Sequence, residues 1–185
     1  MNVHAGEIPN QLLRLQKMHN GQKVEPTFSS REMSRRQNAM RRILEELKLD
    51  AAVLTSYHNV CYFSDFMYCY FGRKYAFVIT DQNATTVSAG IDAGQPYRRT
   101  FGDNLTYTDW QRDNYYHALQ QLLPGVRRIG IEFDHVTIDL RVQLQAAFPN
   151  VELVDVGAPT MWLRTIKSEE EIALIKAGAA TADIG

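Results

Sequence analysis

Apolar residues recur at Met33, Met40, Ile43, Leu44 and Leu47, one face of a helix with a period near 3.6, while Arg35, Arg36, Arg41, Arg42, Glu45 and Glu46 fall elsewhere. The segment Phe28-Ser29-Ser30-Arg31-Glu32-Met33 opens it as a capping box: Ser29 can accept from the third helical amide, Glu32 can bond back, and Phe28 can staple onto Met33. The pattern predicts a helix over 30–48 whose arginine pairs form a solvated face. Ala51-Ala52-Val53-Leu54-Thr55 is apolar on both faces, as a buried central strand should be. Residues 74–80 and 85–89, rich in aromatic and β-branched side chains around Asp81-Gln82-Asn83-Ala84, predict an antiparallel hairpin. Further strands are expected at 105–108, 128–132 and 151–156. Helices are expected at 113–123 and 138–148, each stopped by proline chemistry, Pro124-Gly125 and Pro149-Asn150. The sum is an α/β fold with a mixed sheet flanked by helices.

The two ends break this rhythm. Residues 1–28, with Pro9, Gly21 and Pro26, keep no sustained period and read as an N-terminal arm. Ser168-Glu169-Glu170-Glu171 is a second capping box, followed by a helical stripe at Ile172, Ile175, Ala179 and Ile184 that meets no stop signal. The expectation is therefore the front part of a longer protein: arm 1–28, α/β domain 29–160, and 161–185 as a linker and the start of a further domain.

Charge and composition narrow the partners. The 185 residues carry 20 Lys and Arg against 21 Asp and Glu, a formal net charge of -1, so no global basic field exists to condense on nucleic acid or an anionic bilayer. No apolar run approaches the roughly 18 residues of a membrane span, and the N-terminus lacks the apolar stretch and cleavage site of a secretory signal. A cytoplasmic protein, bound to neither nucleic acid nor membrane, is the expectation. Cys61 and Cys69, eight residues apart, match no zinc or redox spacing and read as buried free thiols.

Candidate chemistry is sparse. GxSxG, HExxH, GxxxxGK[ST] and GxGxxG are all missing, and His4, His19, His58, His117 and His135 show no ligand spacing, so no catalytic residue, metal site or cofactor is assigned. Glu132 and Asp134 with His135 could form a metal or acid/base corner, but a solvated strand end is the plainer reading. The informative stretch is 56–74, with seven Tyr or Phe residues before Gly72 and two cations, Arg73 and Lys74, after it. Arg supplies a planar fork for a carboxylate, and an aromatic two residues earlier can cover an apolar or cationic part of the same ligand. As pattern alone, a core-packing aromatic loop is the plainer reading, with a ligand or interface edge as the alternative.

Several strings together resemble the N-terminal domain of the creatinase family: Ser56-Tyr57-His58-Asn59, Ser64-Asp65-Phe66, Phe71-Gly72-Arg73, Asp92-Ala93-Gly94-Gln95-Pro96, residues 107–115 from Tyr107 to Tyr115, and Arg128-Ile129-Gly130-Ile131-Glu132. Ile166-Lys167-Ser168-Glu169-Glu170-Glu171 is shared with the wider class of Xaa-Pro aminopeptidases and prolidases. The likeness runs over about residues 20–185; a longer arm and Lys74, where the family commonly has Pro, depart from it.

The resemblance implies a ribonuclease H-like α/β N-terminal domain of a two-domain subunit, with the catalytic groups in a C-terminal pita-bread domain not represented in these residues. It implies a cytoplasmic homodimer that hydrolyses creatine to sarcosine and urea without a metal or other cofactor. Phe71 and Arg73 would bind substrate in the partner subunit's active site, the arginine holding the creatine carboxylate. The alternative is a non-catalytic oligomerisation or substrate-gating domain of an Xaa-Pro aminopeptidase or prolidase.

Overall fold

Ser29 caps the first helix as its sequence predicts: its hydroxyl accepts from Glu32 N at 3.1 Å, and α1 runs Ser30–Glu46. The computed structural model of the chain describes residues 13–68, 72–108 and 112–183. After α1 come β2 (Ala51–Leu54), α2 (Tyr57–Ser64), and the hairpin of β3 (Ala76–Thr80) and β4 (Ala84–Ala89). A 3-10 turn (Gly90–Asp92) and α3 (Gln95–Arg99) lead to β5 (Asp103–Tyr107) and α4 (Asn114–Leu122). The chain continues through β6 (Arg128–Ile131), α5 (Ile138–Ala147), β7 (Glu152–Asp155), α6 (Gly157–Thr165) and α7 (Glu169–Ala182). A short strand β1 (Leu15–Gln16) precedes them all.

The strands form one mixed sheet in the order β1-β5-β4-β3-β2-β6-β7. The β2 strand pairs antiparallel with β3 and parallel with β6, and all four of its residues are buried, which is why it is apolar on both faces. Alternation along the strands divides the core. Val53, Val78, Val87 and Ile129 meet Ala118 and Leu119 of α4 and Leu144 of α5 on one side. Leu54, Phe77 and Ile79 meet Met40, Ile43 and Leu44 of α1 and Phe63 of α2 on the other.

Several features depart from the sequence reading. Arg36 is not solvated: it is 2 % exposed, its guanidinium lying between the rings of Phe28 and Tyr62 at 3.9 and 4.3 Å. Glu32 does not bond back to Ser29; it turns inward to Arg35 and Arg36, and the Ser29 amide donates instead to Glu170 of α7 at 2.9 Å. Within the segment read as an arm, Leu15 and Gln16 pair with Tyr107 and Thr106, and Thr27 N donates to Asp65 Oδ2 at 2.6 Å. The first half of the aromatic stretch is helical, because Ser56 caps α2 by accepting from Asn59 N at 3.2 Å.

The capping box at Ser168 forms completely, with Ser168 and Glu171 exchanging both bonds. No residue of α7 is buried, and Ile172, Leu174 and Ile175 are exposed. Among the described residues no helix is long and apolar enough to cross a membrane.

Candidate functional site

Arg73 stands on the turn that enters β3. Gly72 before it has φ +73, the left-handed region that a glycine adopts without a Cβ penalty. Two hydrogen bonds hold the residues that follow. The Lys74 carbonyl accepts from the Tyr107 hydroxyl at 3.0 Å, and the buried Tyr75 donates its hydroxyl to Asp92 Oδ2 at 2.7 Å. Lys74 Nζ lies 5.4 Å from the Tyr116 ring centre. Arg73 is half-buried. Phe71, the other residue expected to bind substrate, lies outside the described residues, as do Cys69 and Tyr70.

Two adjoining clefts open at this turn. The first, about 240 Å³, is lined by Gly72, Arg73, Lys74, Tyr107, Arg112, Asp113, Tyr115 and Tyr116, with Asp139 and Gln143 from α5. The second, about 200 Å³, shares Arg73, Tyr115 and Asp139 and adds His135 and Thr137. Residues from two strings that are well separated in sequence, Gly72 and Arg73 from one and Tyr107, Arg112, Asp113 and Tyr115 from the other, are thereby brought into one cavity wall. Residues 109–111 of the second string lie outside the described residues.

Burial sets the protonation of the wall. The Tyr107 hydroxyl is pushed up to about 12 by loss of water, partly offset by the nearby Arg73 charge. Burial also raises Tyr115, and it raises Tyr116 together with the charges of Asp139 and Asp113. All three are neutral at pH 7, the Tyr107 hydroxyl already donating to the Lys74 carbonyl. Arg73, Lys74 and Arg112 are the cations of this wall and suit an anion such as a carboxylate, bounded by two acids, Asp113 and Asp139.

The Glu132 corner is a fixture of the fold rather than a solvated strand end. Glu132 is 2 % exposed, and its carboxylate accepts from Thr55 N at 2.5 Å, Ser56 N at 2.9 Å and Asn59 Nδ2 at 2.6 Å. It ties the end of β6 to the turn between β2 and α2, satisfying amides that would otherwise be orphaned. Asp134 and His135 are exposed as read. Cys61 is a half-buried free thiol, raised to about 11 chiefly by burial. Among the described residues no group of three or more His, Cys, Asp or Glu side chains is placed to hold a metal ion.

Tyr116, Asp139 and Gln143 were not singled out by the sequence. Asp139 and Gln143 are four apart on α5, a spacing that marks a shared helix face but not which cavity that face borders.

Comparison with known proteins agrees with this architecture. Residues 36–166 match the model of the Creatinase/Prolidase N-terminal domain. A creatinase from Bacillus sp. (strain B-0618) is 52% identical over 169 residues, which cover 89% of this chain and 41% of that protein. The chain thus spans less than half the length of that relative. The prolidase from Pyrococcus horikoshii OT3 superposes with a TM-score of 0.67 at 21% identity, over 80% of this chain and 40% of that one. The Creatinase/Prolidase N-terminal domain of an X-Pro dipeptidase from Streptococcus pyogenes does so at 0.58 and 14%, over 66% of this chain and 99% of that one. The fold and the sequence together define an N-terminal domain of the creatinase/prolidase class. The chain belongs to the creatinase/prolidase family.

Proposed function

We propose that this chain is the substrate-binding N-terminal domain of a creatinase, an enzyme that hydrolyses creatine to sarcosine and urea. The reading rests on the 52% identity to the Bacillus creatinase, carried over 89% of the chain. The catalytic groups lie outside these residues, in a following domain. Water adds to the guanidinium carbon of creatine, the bond from that carbon to the sarcosine nitrogen breaks, and general acid/base groups of that domain move the protons.

The contribution of this domain is binding. Arg73 holds the substrate carboxylate through its planar fork, Phe71 covers the apolar part of the same molecule, and both act across a homodimer boundary in the partner subunit's site. The domain also supplies dimer contacts. Residues 161–185 form the linker and first helix toward the catalytic domain, and the protein is cytoplasmic.

The test is an assay of the whole protein carrying these residues for urea release from creatine and for cleavage of Xaa-Pro peptides. Urea release that is lost in Arg73→Ala supports the reading. Xaa-Pro cleavage without urea release replaces it with a gating domain of a peptidase.

A further inference from the structure

We propose that Tyr107 is a positioning residue for Arg73: its hydroxyl, 3.0 Å from the Lys74 carbonyl, holds the turn from which Arg73 projects into the cleft. The inference rests on the reading of Arg73 as the group that binds the substrate carboxylate.

Tyr107 is placed to act as a fixed post. It closes β5, is 2 % exposed, and its ring meets that of Tyr115 edge-on at 5.7 Å, so strand and core together set where the hydroxyl points. The acceptor is a backbone carbonyl one residue beyond Arg73. The bond therefore fixes the course of the main chain whatever side chain stands at position 74. Gly72, on the other side of Arg73, has no Cβ to restrict it, and an added Cβ there would meet nothing within 4 Å. The turn is thus permissive on its N-terminal side and held on its C-terminal side by two bonds, from Tyr107 to Lys74 and from Tyr75 to Asp92. An arginine binds a carboxylate through two parallel bonds, and that geometry tolerates little displacement of the backbone that carries it. Loosening the post should weaken binding and leave the reaction at the guanidinium carbon unaffected.

The experiment uses the whole protein and four forms: unaltered, Tyr107→Phe, Arg73→Ala, and both together, with KM and kcat measured for creatine. Tyr107→Phe alone is expected to raise KM roughly twofold to tenfold, the size of one neutral hydrogen bond, with kcat little changed. In the Arg73→Ala background the same change should add nothing, because a post without its arginine has nothing to position. An equal rise in both backgrounds, or a fall in kcat at constant KM, overturns the proposal and leaves the reading of Arg73 standing. Unchanged KM in Arg73→Ala alone overturns that reading and the proposal with it. Should Tyr107→Phe not fold, Tyr75→Phe, which frees the same turn from the Asp92 side, is read by the same criteria.

Discussion

Arg36 sets its Nε 2.8 Å from Glu32 Oε1 in the packing between α1 and α2, where the arginine side chain is 2% exposed and the glutamate 5%. Its Nη1 donates to the Tyr62 carbonyl at 3.0 Å, and its Nη2 lies 3.4 Å from Glu171 Oε1 at the start of α7. One cation therefore links α1, α2 and α7. Arg36→Ala would leave a buried carbonyl and part of a carboxylate without their donor, and is expected to cost about 3–5 kcal/mol of unfolding free energy in urea. Arg35 also bonds Glu32, but its side chain is 45% exposed, and Arg35→Ala should cost less than Arg36→Ala. Equal losses for the two arginines would show that burial is not what separates them.

The same pair predicts an acid-sensitive term. Hydrogen bonds from Arg35, then from Arg36, and the charges of both hold the Glu32 carboxyl at about 2 against an ordinary 4.5, although burial opposes them. A folded-state value below the unfolded one means that the stabilisation is complete above about pH 4.5 and is lost as the pH falls toward 2. Glu32→Gln should be less stable than the unaltered chain at pH 7 by on the order of 3 kcal/mol. The gap should narrow in unfolding curves taken at successively lower pH below 4.5. A gap that stays constant down to pH 3 would remove the carboxylate charge from the explanation.

The last helix is held by its first turn alone. The Ser29 hydroxyl donates to Glu170 Oε1 at 2.6 Å, while beyond that turn Leu174 and Ile175 are 45% and 56% exposed. Local stability follows buried contact, so amides of residues 174–182 in the 185-residue chain should exchange with deuterium orders of magnitude faster than those of β2 and β3. Protection in α7 equal to that of the central strands would mean that a second copy covers its apolar face.

Much of the sheet was legible because its signals are local. The Ala51-Ala52-Val53-Leu54 run declares a strand buried on both faces, and the Asp81–Ala84 turn between two β-rich runs declares the hairpin; both form. What escaped depends on partners distant in the chain. Arg36 looks like ordinary helix surface and Glu32 like the partner of a capping box until Phe28, Tyr62 and Glu171 close around Arg36. Glu132 sits where a solvated strand end belongs, but the amides of Thr55 and Ser56 converge on it from another strand. Arg73 was picked out by its neighbours Phe71 and Gly72 and by resemblance. That Tyr107, Tyr116 and Asp139 would border the same cleft followed only from the parallel pairing of β4 with β5 and the packing of α4 and α5 on that side of the sheet.

The final prediction separates binding from chemistry at Arg73. A desolvated bidentate partner left without its counter-charge costs about 2–5 kcal/mol, a roughly 30- to 5000-fold loss at about 1.4 kcal/mol per decade. In the whole protein Arg73→Ala should show that loss largely as a rise in KM for creatine, with a smaller change in kcat. Arg73→Lys should recover only part of it, because an ammonium cannot reproduce the two parallel bonds of a guanidinium. Mixed dimers test where the residue acts. If Arg73 serves the partner subunit, pairing an Arg73→Ala subunit with one disabled in the catalytic domain leaves one site with both groups intact, and activity returns. If it serves its own subunit, each site lacks one group and the mixture stays inactive. Kinetics unchanged in Arg73→Ala would take the residue out of substrate binding and leave the Gly72–Tyr75 turn as an element of the fold alone.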